Sequence, residues 1–329
     1  MLAIRAHRAG GVEVLQWDDV ASPDCPADNI LIRNEFVGVN YGDVIRRQRG
    51  WGHEGPFTPG FEGVGVIIQV GTNVDGFKVG DRVAYLMAYG AYAEIVSIPA
   101  KQVFLVPNDL APETVAGSVC AGTTAIGLFN KAGLTDGNTA IVHGAAGGVG
   151  ALLLQLCQES RIKAIACVST EDKEAYVRSL GSSTVVRTDT EDFSLRALEL
   201  TNGSGVDAIF DCVGQAVTAG NGASIRKQGR WLYYGSASGH GQFPGEVVLT
   251  RAVNISGFVI FNVLADFIAW NGVVAQLLEK LRHKSLMPQV ETLPATAVRQ
   301  VHERLENRKF IGKAVLDFRS VNPNGGDFK

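Results

Sequence analysis

Over its first third the chain alternates apolar and polar residues in short runs, the period of half-buried strands. Leu2 to Ala6, Asn29 to Val39, Gly63 to Val70, Arg82 to Tyr85 and Tyr92 to Ile98 carry this pattern and are predicted strands. Gly71-Thr-Asn and Val74-Asp-Gly-Phe separate some of them as turns. Near Pro112 the spacing changes. Glu113 to Phe129 reads as a helix, although Gly117, Gly122 and Gly127 interrupt it. From Asn138 to about Phe258, strand and helix patterns alternate. Strands are expected at 139–143, 163–168, 184–186, 206–211, 230–235 and 254–258, and helices at about 148–159, 171–180, 192–201 and 215–227. Parallel strands need such crossovers, so the α/β order predicts a doubly wound sheet. Residues 262–284 and Ala295 to Asn307 then read as helices, and Lys313 to Phe318 as a strand. The expected division is a β-rich domain from 1–120 and 262–329, interrupted by an α/β domain at 121–261.

One stretch organises that second domain: Thr139-Ala-Ile-Val-His-Gly-Ala-Ala-Gly-Gly-Val-Gly. Thr139 to His143 is apolar and rich in β-formers. A glycine-dense turn follows, and Ala151-Leu-Leu-Leu-Gln-Leu-Cys-Gln continues as a buried helix. Strand, tight turn and helix open a βαβ unit. A pyrophosphate in such a turn lies against backbone N–H groups, where the helix N-terminus favours an anion. A Cβ at Gly147 or Gly150 would hold the phosphate off or block helix–strand packing. Ala146, Gly147, Gly148 and Val149 are therefore the candidate phosphate cradle. Ala145 stands where the first glycine of the usual G-x-G-x-x-G would be.

Composition narrows the alternatives. The 329 residues are 46% hydrophobic, enough for two cores. Thirty basic and 33 acidic residues are well mixed and give a net charge of −3, which argues against nucleic acid or an anionic membrane as partner. No apolar run is long enough to span a bilayer, and Met1-Leu-Ala-Ile-Arg-Ala-His-Arg lacks a secretory apolar core. Five scattered cysteines without C-x-x-C spacing fit a reducing cytoplasm. The polar tail from Val321 is expected to fray.

The end of the second α/β strand sets the cofactor. An NAD site wants a carboxylate there. Here the strand ends Cys167-Val-Ser-Thr, and Lys173 follows one helical turn later. Two hydroxyls, Ser169 and Thr170, with an ammonium suit a 2′-phosphate, so NADPH is the expected cofactor. Glu171 and Asp172 read as acids at a helix N-terminus. Arg187 is either a second phosphate partner or a solvated surface group.

Across the chain to about Phe318 the sequence resembles the zinc-free medium-chain dehydrogenases/reductases of the quinone oxidoreductase, or zeta-crystallin-like, branch. The resemblance rests on Val39-Asn-Tyr-Gly-Asp, Pro59-Gly-Phe-Glu-Gly-Val-Gly, Phe77-Lys-Val-Gly-Asp-Arg-Val, Gly90-Ala-Tyr-Ala-Glu and Gly122-Thr-Thr-Ala. It continues through His143-Gly-Ala-Ala-Gly-Gly-Val-Gly, Asp207-Ala-Ile-Phe-Asp-Cys-Val-Gly and Asn307-Arg-Lys-Phe-Ile-Gly-Lys. It implies a GroES-like catalytic domain beside a Rossmann domain, and a homodimer joined through the Rossmann sheets. Zinc-dependent relatives carry Gly-His-Glu where this chain has Gly60-Phe61-Glu62, and a cysteine near Asn40. Phenylalanine and asparagine cannot replace those ligands, so no catalytic metal is expected. Glu62 is left with a structural task, such as a salt bridge or a turn contact.

The resemblance also implies roles at the nicotinamide end. Thr124 matches a threonine facing that region, and Asn40 an asparagine near ribose and substrate. Val213 with Gly214, and Gly235 with Ser236, follow strand ends. Phe258 and Arg308 match residues near the cofactor. Thr188 stands where the branch often has a tyrosine, and Ile45 replaces a tyrosine that would be one proton donor. Asn40, Tyr41 and Thr124 are the catalytic candidates; Asp43, Arg47 and Trp51 complete the substrate-side set. For Tyr41, strand alternation would point the ring into the core. His143 reads as a hydrogen-bonded core histidine. His53 lies in the loop Gly50-Trp-Gly-His-Glu-Gly, which either closes over substrate or is plain surface.

The expected activity is NADPH-dependent, zinc-independent reduction of a quinone or an α,β-unsaturated carbonyl. Two alternatives remain: an enoyl reductase or tailoring enzyme on an acyl or polyketide-like intermediate, and a non-catalytic, crystallin-like NADPH-binding protein.

Overall fold

The computed structural model describes residues 1–50, 55–87 and 89–321. The chain forms two compact units, one from Met1–Cys120 and the chain from Pro288, the other from Ala121–Met287.

In the first unit β1 (Leu2–Ala6) pairs with β2 (Leu15–Asp19) in an antiparallel ribbon. The larger sheet is built on β3 (Asn29–Val39), whose inward residues include Ile30, Ile32 and Val37. After β3 the backbone turns directly into helix α1 (Tyr41–Arg49), with Asn40 as N-cap and Gly50 in the left-handed region, φ 67°, as C-cap. Then come β4 (Glu62–Val70), β5 (Arg82–Leu86), β6 (Ile95–Pro99), β7 (Val103–Leu105) and α2 (Pro112–Ala116). Helix α3 (Val119–Ala132) leads into the second unit.

That unit alternates as its sequence pattern predicts. Strands β8 (Thr139–Val142), β9 (Lys163–Val168), β10 (Thr184–Arg187), β11 (Val206–Asp211), β12 (Ile225–Tyr233) and β13 (Asn254–Gly257) are parallel throughout. Their order, β10-β9-β8-β11-β12-β13, reverses direction at β8, the doubly wound arrangement. Helices α4 (Gly148–Glu159), α5 (Glu171–Ser179), α6 (Phe193–Leu200), α7 (Thr218–Ser224) and α8 (Gly245–Arg251) are the crossovers. Helices α9 (Ile260–Leu264) and α10 (Phe267–Arg282) follow. The chain returns through β14 (Val290–Pro294), α11 (Val298–Glu306) and β15 (Lys313–Asp317), which complete the first unit's sheet in the order β14-β15-β3-β4-β5-β7, with β6 also paired to β3.

Several expectations need correction. The crossing back to the first unit falls at Pro288, not at 262. Helix α10 buries Trp270, Val273, Val274, Leu277 and Leu281, and Leu277 fills the space over Gly122. Gln155 on α4 binds both backbone groups of Met287, accepting from its N at 2.7 Å and donating to its O at 3.2 Å. These contacts tie 262–287 to the nucleotide unit. Tyr41 begins a helix rather than continuing a strand. The expected helix 215–227 stops at Ser224, because Ile225 already pairs with Val206 as the start of β12. The helix expected at 113–129 breaks at Gly117, which sits against Val290. Among the described residues no helix is long and apolar enough to cross a membrane.

Candidate functional site

Because the strands of the second unit are parallel, the turns after β8, β9, β11 and β12 all lie at one carboxyl edge. The turn after β8 opens with Gly144 at φ 59°. Ala145 and Ala146 are buried beneath it, and Gly147 is the N-cap of α4. The two glycines singled out from sequence differ. A Cβ on Gly150 would stand 2.4 Å from the Gly144 carbonyl oxygen, an impossible approach. A Cβ on Gly147 would meet only that oxygen, at 3.3 Å. Gly150 therefore serves packing, while the space beside Gly147 is left open. The first turn of α4 carries no acid to neutralise its positive end. An open cradle at an uncompensated helix N-terminus fits a pyrophosphate.

At the tip of β9, Thr170 caps α5, its hydroxyl accepting from Lys173 N at 3.4 Å. The Lys173 ammonium reaches Ser169 Oγ at 3.4 Å. The two hydroxyls and the cation thus cluster, and Glu171 and Asp172 occupy the first turn of α5. Thr188 is fastened beside them, its N and Oγ1 both donating to Val168 O. Arg187 pairs with Asp189 at 2.7 Å in an ion pair at the surface. That pairing keeps the Asp189 carboxyl below its usual range.

The turns after β11 and β12 are hydrogen-bonded to each other through Ala237 N to Cys212 O and Ser238 N to Val213 O. Gly235 lies where a Cβ would be 2.8 Å from Cys212 O. Ser236 is half-buried beside it. The organiser of this corner, which carries no role in the sequence reading, is Asp211. It is fully buried. Its Oδ1 accepts from Val213 N and Gly214 N, both at 2.9 Å, and its Oδ2 from Asn221 Nδ2 and Trp231 Nε1 at 3.1 and 3.0 Å. Asn221 Oδ1 lies 2.7 Å from His143 Nε2, which fixes the donor on that nitrogen. Burial pushes the His143 pKa down, and its ring stands edge-on to Phe193. His143 is a core histidine. Thr124 is buried on α3, and the Phe258 ring lies on Gly127 of the same helix.

The remaining candidates belong to the first unit. Asn40 is half-buried, and its amide joins Glu62 and Lys313. Glu62 finds its structural task there, as an ion pair with Lys313 at 2.6 Å. Tyr41 is half-buried at the start of α1, and Arg308 is exposed at φ 55° after α11. Asp43 and Arg47 are fully buried, so neither faces solvent as a substrate-side group would. Asp43 accepts from Asn40 N at 2.8 Å and Gly60 N at 2.9 Å, fixing the start of α1. Burial pushes its pKa up to about 7 against the pull of those N–H groups and of Lys313. Arg47 pairs with Glu306. Near it, His302 Nε2 lies 3.1 Å from Tyr92 Oη; burial and the Arg47 charge push the His302 pKa down to about 3. Trp51 and His53 lie outside the described residues. Among the described residues, no three His, Cys, Asp or Glu side chains converge as a metal site requires.

Comparison with known proteins agrees with this arrangement. Residues 26–108 match the alcohol dehydrogenase GroES-like domain, and 148–279 the family described as zinc-binding dehydrogenase. The chain is 29% identical to a probable quinone oxidoreductase of Schizosaccharomyces pombe, covering 96% of each chain. It is 30% identical to a 2-haloacrylate reductase of a Burkholderia species, over 96% of this chain and 98% of that one. A mycobacterial protein solved in complex with NADPH superposes with a TM-score of 0.92 at 30% identity, over 96% of this chain and all of its own. With a GroES-like unit and a Rossmann unit in this order, the chain belongs to the medium-chain dehydrogenase/reductase superfamily, in the quinone oxidoreductase branch.

Proposed function

We propose that the protein is an NADPH-dependent oxidoreductase that reduces quinones or α,β-unsaturated carbonyl compounds without a metal. The observation that carries this reading is the phosphate cradle open at Gly147, on the same sheet edge as the Ser169–Thr170–Lys173 cluster. Residues 146–149 would hold the pyrophosphate, and Ser169, Thr170 and Lys173 the 2′-phosphate, with Thr188 beside the adenosine. Thr124, Val213, Gly235, Ser236 and Phe258 would frame the nicotinamide end, and Arg308 would flank the cofactor. Bound NADPH supplies a hydride from its nicotinamide C4. Asn40 and Tyr41 would hydrogen-bond the acceptor's oxygen, the role that a polar, metal-free site must fill. The relatives support this class: one acts on a haloacrylate, whose electron-poor C=C is conjugated to a carboxyl group.

Assembly is part of the proposal. β13 is an edge strand of four residues; Val259, two residues beyond it, is 54% exposed, and Ile268 on α10 is 83% exposed. Open backbone groups beside apolar side chains suit a second copy of the chain placed edge to edge.

A panel of ortho- and para-quinones, enals, enones and enoyl thioesters, each with NADPH and with or without a zinc chelator, tests the reaction. Turnover of a quinone or an enone, unaffected by chelator, is expected. Turnover confined to enoyl thioesters, or abolished by chelator, would contradict it.

A further inference from the structure

Strands β15, β3 and β4 are neighbours in one sheet. Ala314 pairs with Val39, which sets Lys313 opposite Asn40, and Glu62 pairs with Gly38 two residues earlier in β3, so the register makes Glu62 a diagonal neighbour of both. The Lys313 and Glu62 side chains are 5% and 0% exposed, whereas Asn40 above them is half-buried. Lys313 Nζ lies 2.5 Å from Asn40 Oδ1 and 2.6 Å from Glu62 Oε1. Asn40 Nδ2 donates to Glu62 Oε1 at 2.8 Å. The second Glu62 oxygen accepts from Cys120 N at 2.5 Å. Glu62 fits only because Gly38 lacks a side chain; a Cβ there would stand 2.5 Å from Oε1.

An ammonium only donates and a carboxylate only accepts, so these partners fix which way round the amide stands. The Asn40 carbonyl faces Lys313 and its NH2 faces Glu62, leaving one N–H with no partner among the described residues. A cation on the carbonyl favours the charge-separated form of the amide, so its N–H groups become stronger donors, while the carboxylate on one of them fixes where the other points. A buried ion pair is a weak source of stability, because desolvation offsets its attraction. Apolar residues could join these strands as well.

We propose that Lys313 and Glu62 are positioning residues for the reaction: they orient and polarise Asn40 so that its remaining N–H donates to the acceptor's carbonyl oxygen as negative charge develops there. This rests on the reductase reading above. The acceptor gains a hydride at its β-carbon and its oxygen becomes an enolate; Asn40 stabilises that oxygen without giving up a proton, and solvent protonates the product.

The probe is para-nitrophenol, whose ionised oxygen imitates the enolate and whose absorbance reports ionisation. It is titrated into the full-length protein with NADP⁺. In the unmodified protein the bound phenol should ionise more readily than in water. The neutral pair Lys313→Met with Glu62→Gln should keep NADPH affinity, read by nicotinamide fluorescence, within about twofold, and raise the bound phenol's pKa by about one unit, a tenfold change in its ionisation. Asn40→Leu, which leaves the ion pair in place, should give the same rise and covers the case in which the double variant fails to fold. Ionisation unchanged by Asn40→Leu, or no enhanced ionisation in the unmodified protein, overturns the proposal. The reductase reading fails separately, through absence of turnover with every acceptor while the phenol shift persists.

Discussion

Gly147 and Gly150 sit three residues apart in one turn, yet the surroundings assign them different tasks. A Cβ on Gly150 would stand 2.4 Å from backbone, so any side chain must displace the turn. Gly147→Val is expected to cost about 1 kcal/mol, the loss of a favoured N-cap residue at a position with room for the side chain. The same variant should lose NADPH binding, since its methyl groups would fill the cradle. Gly150→Val should destabilise by about 3 kcal/mol or more through overpacking. Thermal unfolding and NADPH fluorescence titration on the two variants check both outcomes. A folded Gly147→Val protein with full affinity would show that the phosphate lies elsewhere. These residues are legible in the sequence because strand, turn and helix are contiguous. The Asn40–Glu62–Lys313 cluster is not, because its partners are 22 and 273 positions apart. Asp211 is intermediate: an acid at a strand end is visible, but its partner Trp231 comes from the neighbouring strand.

At the scale of elements, the second unit follows its pattern closely because buried parallel strands are continuous apolar runs with glycine or polar breaks. The first unit hides more. Helix α1 buries Asp43, Arg46 and Arg47 with Val44, so three of its four buried residues are charged and its inward face carries no apolar periodicity. Strand β7 has only three residues, too few to show an alternation. The apolar stretch after β13 divides in a way composition cannot show. Ile260 and Leu264 turn inward on α9 while Val259 stays exposed. The proposed dimer therefore rests on Val259 and on Ile268 of α10. Val259→Asp combined with Ile268→Lys should convert a dimer to a folded monomer in light scattering, since charges in an apolar interface are left unpaired. A monomeric unmodified protein would contradict edge-to-edge assembly.

For the whole molecule, the sequence places the return of the chain too early because 262–284 shows a helix but not the body it packs on. Side-chain packing on α3 and α4 settles it at Pro288. The reaction class depends on the second unit reading a 2′-phosphate, since no carboxylate stands at the tip of β9 and Lys173 does. A charge-assisted contact to that phosphate is worth about 1.5–3 kcal/mol. The most direct measurement is calorimetric titration of the unmodified protein and of Lys173→Ala with NADPH and with NADH. The account predicts that NADPH binds about tenfold or more tightly than NADH, and that Lys173→Ala weakens NADPH alone, narrowing the gap. Equal affinity for the two dinucleotides in the unmodified protein, or a variant that leaves the difference intact, would contradict it.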